Sequence, residues 1–264
     1  MITNVHEVDN LEFLHKANNS TYDLIAIDPP KKTYKKKVKW EKKYADRHNY
    51  YFHWMFGRVR EMHRILKPHG SLILICDQEN AHQTREVLNI IFGEGNCINE
   101  IIWVHNPHCS NIGKWSHTYR NILWYAKNPN DYIYKVSLCD TYKTQLVTYK
   151  CGKTTYKQRK PADVWYDLKD DEEEPNVYKR IIRVHSKPDS KILDCFSGNG
   201  MMGIAANQLA AEDKFKGTLD LVDISTTACQ YTLRKLTTMG AQNIHFNGLL
   251  FDKHHLIYDH VMRP

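Results

Sequence analysis

No apolar run in the sequence approaches the roughly 18 residues that cross a bilayer, and the N-terminus carries no charged-then-apolar leader pattern. The seven cysteines (76, 97, 109, 139, 151, 195 and 229) include no Cys-x-x-Cys pair, so the spacing of a zinc site is missing and no disulfide framework is indicated. Fifteen histidines also lack a ligand-like spacing near those cysteines, and no metal is expected. These absences point to a reducing, cytosolic setting. What is present, 264 residues of which 42% are hydrophobic, can bury one substantial core and reads as a single domain.

The formal charge is +7, and its distribution is uneven. Lys31, Lys32, Lys35, Lys36, Lys37, Lys39, Lys42 and Lys43 crowd one stretch, with Tyr34, Trp40 and Tyr44 among them. Most charge runs are solvated loops. This one begins directly after Asp28-Pro29-Pro30, which itself ends the apolar run Leu24-Ile25-Ala26-Ile27. The two prolines remove two backbone donors and fix φ, so the carbonyls of Asp28 and Pro29 are expected to point outward. A carboxylate beside free carbonyls makes a pocket of acceptors without a donor. Such a pocket suits a substrate amine, and a lysine run at its mouth suits phosphate.

Along the chain, apolar patterning predicts strands near residues 5–8, 22–27, 71–76, 98–104, 121–126, 191–195 and 219–223. Helices are predicted from Leu11, over 51–66 (Tyr51, Met55, Val59, Met62 and Leu66 at helical spacing), over 81–92, after Pro175, over 201–210 and over 226–239. Pro68-His69-Gly70 should break the second helix, and residues 128–170 are the least regular part. Strand and helix alternate as in an α/β fold with a doubly wound, mostly parallel sheet. Trp103 and Trp124 read as core residues. Asp77 ends a strand and is a candidate contact to substrate or cofactor.

Asp194-Cys195-Phe196-Ser197-Gly198-Asn199-Gly200 is a strand end, an acid and a glycine turn opening a helix. Gly198-x-Gly200-x-x-Gly203 satisfies the dinucleotide fingerprint literally, so a nicotinamide cofactor must be weighed. Asp194 speaks against it, because an acid before the turn repels a pyrophosphate. That acid suits the cationic methionine end of S-adenosylmethionine. Asp223 ends the next strand and fits the ribose hydroxyls of either cofactor.

Together, Asp-x-Phe-x-Gly-x-Gly and Asp-Pro-Pro resemble the paired motifs of the class I amino DNA methyltransferases, which modify adenine N6 or cytosine N4. The cofactor half lies C-terminal to the catalytic half, as in the circularly permuted β-group. Asp9-Asn10 resembles the acid that contacts the cofactor adenine in that group. Residues 65–72, 99–103 and 117–125 resemble the segments that follow the catalytic motif. The resemblance implies a Rossmann-like fold, with a catalytic half over 1–127, a variable target-recognition-like segment over 128–170 and a cofactor half over 171–264. It implies S-adenosylmethionine bound by Asp9, Asp194, Phe196, Gly198, Gly200 and Asp223. A catalytic motif of Asp28, Pro29, Pro30 and Lys31 is implied too, with DNA held by Lys32, Lys35, Lys36, Lys37 and Lys39. Adenine is favoured, because the family's adenine enzymes favour Asp at the first motif position and its cytosine enzymes Ser.

Three departures qualify this picture. Lys31 stands where the family has an aromatic residue to stack on an extruded base. Glu174 stands where it usually has a lysine, although Asp170 to Glu174 also complement the dipole of the next helix. The 128–170 stretch is short for target recognition, which calls for a homodimer or a second subunit to supply sequence choice. The competing reading is a weak or inactive methyltransferase-like subunit that binds DNA and supports an active partner. Either reading places the protein in the cytoplasm or on the nucleoid.

Overall fold

The structure, a computed structural model, describes residues 1–30, 51–104, 113, 115–135, 142–147, 154–159, 161–168 and 175–248. The strands are β1 (Ile2–Glu7), β2 (Tyr22–Ile27), β3 (Leu66–Asp77), β4 (Cys97–Val104), β5 (Tyr119–Ala126), β6 (Tyr142–Val147), β7 (Thr154–Arg159), β8 (Val164–Trp165), β9 (Lys191–Asp194), β10 (Thr218–Asp223) and β11 (Ile244–Asn247). The α-helices are α1 (Asn10–Lys16), α2 (Tyr51–Ile65), α3 (Gln78–Phe92), α4 (Asn176–His185), α5 (Met201–Ala211) and α6 (Thr226–Thr238).

Among the described residues, nine strands form one sheet in the order β11-β1-β10-β9-β2-β3-β5-β4-β8, and β6 pairs with β7 apart from it. The pairings from β11 through β3 are parallel, and β5 enters antiparallel to both β3 and β4. Alternation along β2 sends Leu24 and Ala26 to one face and Ile25 and Ile27 to the other. The first face is covered by α4, α5 and α6 through Val177, Ile181, Met202, Leu209 and Leu233. The second is covered by α1, α2 and α3 through Leu14, Met55, Val59, Leu88 and Phe92. The sheet is therefore doubly wound, as the alternation of elements predicts.

In α2, Tyr51, Met55, Val59 and Met62 are buried as the helical spacing predicts and Ile65 completes the stripe, whereas Leu66, read as its last member, opens β3. Pro68-His69-Gly70 acts differently from the simple break expected of it. Strand β3 starts at Leu66, and the pairing slips between Tyr22↔Leu66 and Leu24↔Ser71, so these residues bulge out of the ladder. From the bulge, Lys67 Nζ donates to Asp23 Oδ2 at 2.8 Å, while His69 Nε2 lies 2.9 Å from Asp23 Oδ1. The stretch read as irregular holds β6, β7 and β8, and β11 lies beyond the last predicted helix. Trp103 and Trp124 are buried, with indole N–H groups donating to Leu168 O and Ser71 Oγ.

At the N-terminal end of the parallel strands, Asp220 is buried but well served. It accepts from Tyr22 Oη at 2.6 Å and Asn4 Nδ2 at 2.6 Å, with Lys191 Nζ 3.5 Å away. Burial alone would raise its pKa, but the hydrogen bonds from His6, Tyr22 and Asn4 prevail and hold it at about 2. Because the folded value lies below the unfolded one, this stabilisation is complete above pH 4 and is lost as pH falls through about 2. Asp220→Asn should cost about 2 kcal/mol at pH 7 and little at pH 2. Urea unfolding of both proteins across that range checks it. A cost independent of pH would contradict the assignment.

Candidate active site

Strands β2 and β9 lie side by side, with Ile25 opposite Leu193. From β9 the chain crosses through α5 to β10 on one side, and from β2 it crosses through α2 to β3 on the other. Their carboxyl ends therefore flank a topological switch point, where open α/β sheets bind ligands. Asp28 follows β2 there and Asp194 ends β9. Sequence spacing alone, 166 positions apart, does not bring these two acids together. The sheet does.

The glycine turn after β9 is built from its acids. Asp194 Oδ1 accepts from Phe196 N at 3.0 Å, while Asp223 Oδ2 accepts from Gly198 N at 2.9 Å and its Oδ1 from Ser225 N at 2.8 Å. Burial pushes the Asp194 carboxyl up to about 8 despite the Phe196 amide, and the charges of Asp28 and Asp223 add to the rise. Burial also raises Asp223, against the amides of Ser225 and Gly198. Across β1 and β10, Glu7 lies in register with Asp223. Its Oε2 and the hydroxyl of Ser197 are buried with no hydrogen-bond partner among the described residues. Gly200 has φ +77°, and a Cβ there would stand 2.6 Å from the side chain of Thr232.

Asp9 caps α1, its Oδ1 accepting from Leu11 N at 2.8 Å, and its Oδ2 lies 3.4 Å from Arg58 Nη2. Arg58 Nε donates to Asn10 Oδ1 at 2.6 Å, and Asn10 Nδ2 donates to Cys195 O at 3.0 Å. The guanidinium stacks 4.2 Å from the centre of Trp54, whose ring lies 5.5 Å from that of Phe196. Asp9 thus joins the glycine turn through Asn10, Arg58 and Trp54, residues that sequence reasoning had not singled out as part of the site. A polar residue directly after the acid was the available signal for Asn10.

Asp28 departs from expectation in one respect. The acceptor pocket is not free of donors: Arg120, from the start of β5, donates through Nη1 to Asp28 Oδ2 at 2.7 Å and through Nη2 to Oδ1. Arg120 Nε also lies 3.2 Å from Asp77 Oδ1. Burial works against the Arg120 charge, but Asp28 and then Asp77 outweigh it and raise its pKa. An arginine inside a strand buried from Arg120 to Ala126 was a legible signal, because such a charge needs carboxylate partners. Lys31, Lys32, Lys35, Lys36, Lys37 and Lys39 lie outside the described residues, as does Glu174. His117 is described and exposed. A cavity of about 270 Å³ lined by Trp124, Tyr134, Trp165, Arg180 and His185 shares no residue with this crevice.

A doubly wound sheet with a glycine turn and acids at its switch point defines an α/β ligand-binding protein. The chain belongs to the DNA methylase family of the N6/N4 type, whose pattern matches residues 22–231. It is 26% identical over 254 residues to the DNA adenine methyltransferase YhdJ of Escherichia coli (strain K12), covering 86% of this chain and 80% of that protein. It is 24% identical over 223 residues to the type II methyltransferase M2.LlaDCHI of Lactococcus lactis subsp. cremoris, covering 76% and 79%. The fold matches M1.HpyAVI, solved as a complex with SAM, at a TM-score of 0.60 with 16% identity, over 89% of this chain and 100% of that one. It matches the cytosine-N4-specific PvuII DNA methyltransferase at a TM-score of 0.61 with 13% identity, over 94% and 95%.

The contact with Thr232 gives Gly200 a packing role apart from any ligand. Gly200→Ala should lower stability by about 1–3 kcal/mol, from overpacking and from a Cβ at positive φ. Thr232→Ala in the same background should recover part of the loss. Urea midpoints without ligand test this, and an unchanged midpoint for Gly200→Ala would contradict it.

Proposed function

We propose that this methylase transfers a methyl group from S-adenosylmethionine to an exocyclic amine of DNA, adenine N6 in preference to cytosine N4. The observation that carries the reading is the pairing of Asp28-Pro29 with the Asp194 turn across one switch point. The chemistry of the turn favours this cofactor over a dinucleotide. Two buried acids, an unpartnered hydroxyl and an unpartnered carboxylate oxygen suit sugar hydroxyls and a cation that draws Asp194 into its ionised form. Asp at the first motif position and the likeness to an adenine methyltransferase support adenine.

When bound, the cofactor supplies an electrophilic methyl group on a cationic sulfur. Asp194 would hold its charged methionine end, Gly198 and Gly200 would let the backbone approach, and Asp223 would take ribose hydroxyls. Asp9 and Phe196 border the adenine side. Asp28 and the Pro29 carbonyl accept hydrogen bonds from the target amine. This holds the nitrogen lone pair toward the methyl group, and the amine proton leaves after transfer. Cys195 is no nucleophile here: burial pushes its thiol well up, beside Asp194. Pro30 fixes the exit of the motif, and Lys31 to Lys39, which follow it in the sequence, attract the phosphate backbone. Sequence choice is supplied by a second copy or a second subunit.

Tritium transfer from labelled cofactor to genomic DNA tests the reading. The wild type should label DNA as N6-methyladenine, and Asp28→Ala should lower the rate by at least about a thousandfold, a loss of about 4 kcal/mol in the barrier. Full transfer by Asp28→Ala would overturn the role of Asp28. A wild type that binds DNA but transfers nothing would favour the inactive-subunit reading that Lys31 and Glu174 suggest.

The lysine run has its own test. Each phosphate contact on duplex DNA contributes a slope of about −0.9 in log K against log salt. Replacing Lys35, Lys36 and Lys37 by Gln should flatten that slope by up to about three and weaken all DNA sequences alike. An unchanged slope would make the run a solvated loop.

A further inference from the structure

Arg120 raises a chemical problem for the amine acceptor. As the nitrogen lone pair forms the N–C bond and the C–S electrons stay with sulfur, positive charge moves onto the nitrogen until its proton leaves to solvent. A lone Asp28 would offset that charge with a full negative one. A forked guanidinium on Asp28 cancels it. The answer lies on Asp77, the other acid facing Arg120, 3.2 Å from Nε. Asp77 occupies the N-cap of α3, where an aspartate ordinarily accepts from the amides of the first turn, yet its side chain makes no capping bond. Its Oδ1 approaches Arg120 Nε as an ion pair, without hydrogen-bond geometry.

Among the described residues, the other groups whose charges bear on this cluster are Cys76, Tyr51, Glu100, Tyr178 and Asp194. Burial keeps the Cys76 thiol neutral, pushed up to about 12, and raises the Tyr51 phenol likewise. Glu100, the next acid along, is engaged by Arg85 and Asn121. Asp28 keeps 27% of its side chain exposed, against 8% for Arg120. A carboxylate has about four acceptor positions, and the fork takes two of them. A target amine can therefore reach Asp28 with Arg120 still in place.

We infer that Asp28, Arg120 and Asp77 act as one unit with a single net negative charge: Arg120 fixes the carboxylate of Asp28, and Asp77 restores the charge that the developing ammonium requires. Arg120 and Asp77 are positioning residues, and this role rests on the methyltransfer reading above. It implies a distinctive pattern of epistasis. Asp77→Asn leaves the unit neutral, while Asp77→Asn with Arg120→Gln returns it to one negative charge.

The test is methyl transfer to DNA by the full chain, with kcat and the KM for S-adenosylmethionine measured separately. Asp77→Asn should lower kcat by about tenfold or more, about 1.4 kcal/mol by the rate equation, with KM for the cofactor within about twofold. Asp77→Glu, which keeps the charge, should stay near wild type. Adding Arg120→Gln to Asp77→Asn should raise kcat above that of Asp77→Asn alone, whereas a merely structural pair would lose further. If the double variant unfolds by circular dichroism, the contrast of Asp77→Asn with Asp77→Glu decides. Equal kcat for those two, or a folded double variant no faster than Asp77→Asn, would overturn the inference. Absence of transfer by the wild type, or full transfer by Asp28→Ala, would instead overturn the reading beneath it and the inference with it.

Discussion

A parallel sheet that reverses its winding between β2 and β9 brings the carboxyl ends of two strands to one crevice, Asp194 ending one and Asp28 following the other. Burying carboxylates so close together is costly unless each is compensated. Three different solutions appear. Asp28 takes the fork of Arg120, Asp223 takes the amides of Gly198 and Ser225, and Asp194 takes one amide and otherwise gains a proton. The glycine turn, the cap of α1 and the start of β5 are arranged around this requirement. A crevice held this way is poor for anions and good for cations.

Asp194 shows what that arrangement costs. Its folded pKa lies above that of the unfolded chain, so the unfolded state gives up its proton first as pH rises. Stability is thereby eroded between about pH 4 and the folded value near 8. A cationic ligand beside Asp194 removes that penalty. Strain of this kind is expected at a binding site rather than in a structural core. Asp220, at the opposite end of the same sheet, is the contrast: buried as deeply, fully hydrogen-bonded and depressed to about 2.

Much of this was legible in the sequence, for identifiable reasons. Helix α2 was readable because Tyr51, Met55, Val59 and Met62 repeat at the helical period, and β2 because its apolar run stops at an acid and two prolines. Asp194, Gly198 and Asp223 were readable because a glycine turn needs small residues and acids at fixed offsets. The bulge at Pro68-His69-Gly70 was not, since a proline that ends a helix and one that bulges a strand look alike until the pairing partner is known. The ion pair of Arg120 with Asp28 was missed because it spans 92 positions and depends on β5 entering antiparallel to β3. Contacts of that range belong to topology. The lysine run, equally visible in the sequence, falls outside the described residues and carries no structural statement.

Proton linkage on cofactor binding tests the central claim, that these buried acids are arranged for a cation, most directly. Burial pushes Asp194 up to about 8, so it is mostly protonated at pH 7 and must ionise to meet a positive ligand. Titration calorimetry with S-adenosylmethionine in two buffers of different ionisation enthalpy counts the protons exchanged. The wild type should release more protons per site than Asp194→Asn at pH 7. Equal proton exchange by the two proteins, or tighter binding of NADH than of S-adenosylmethionine, would contradict it.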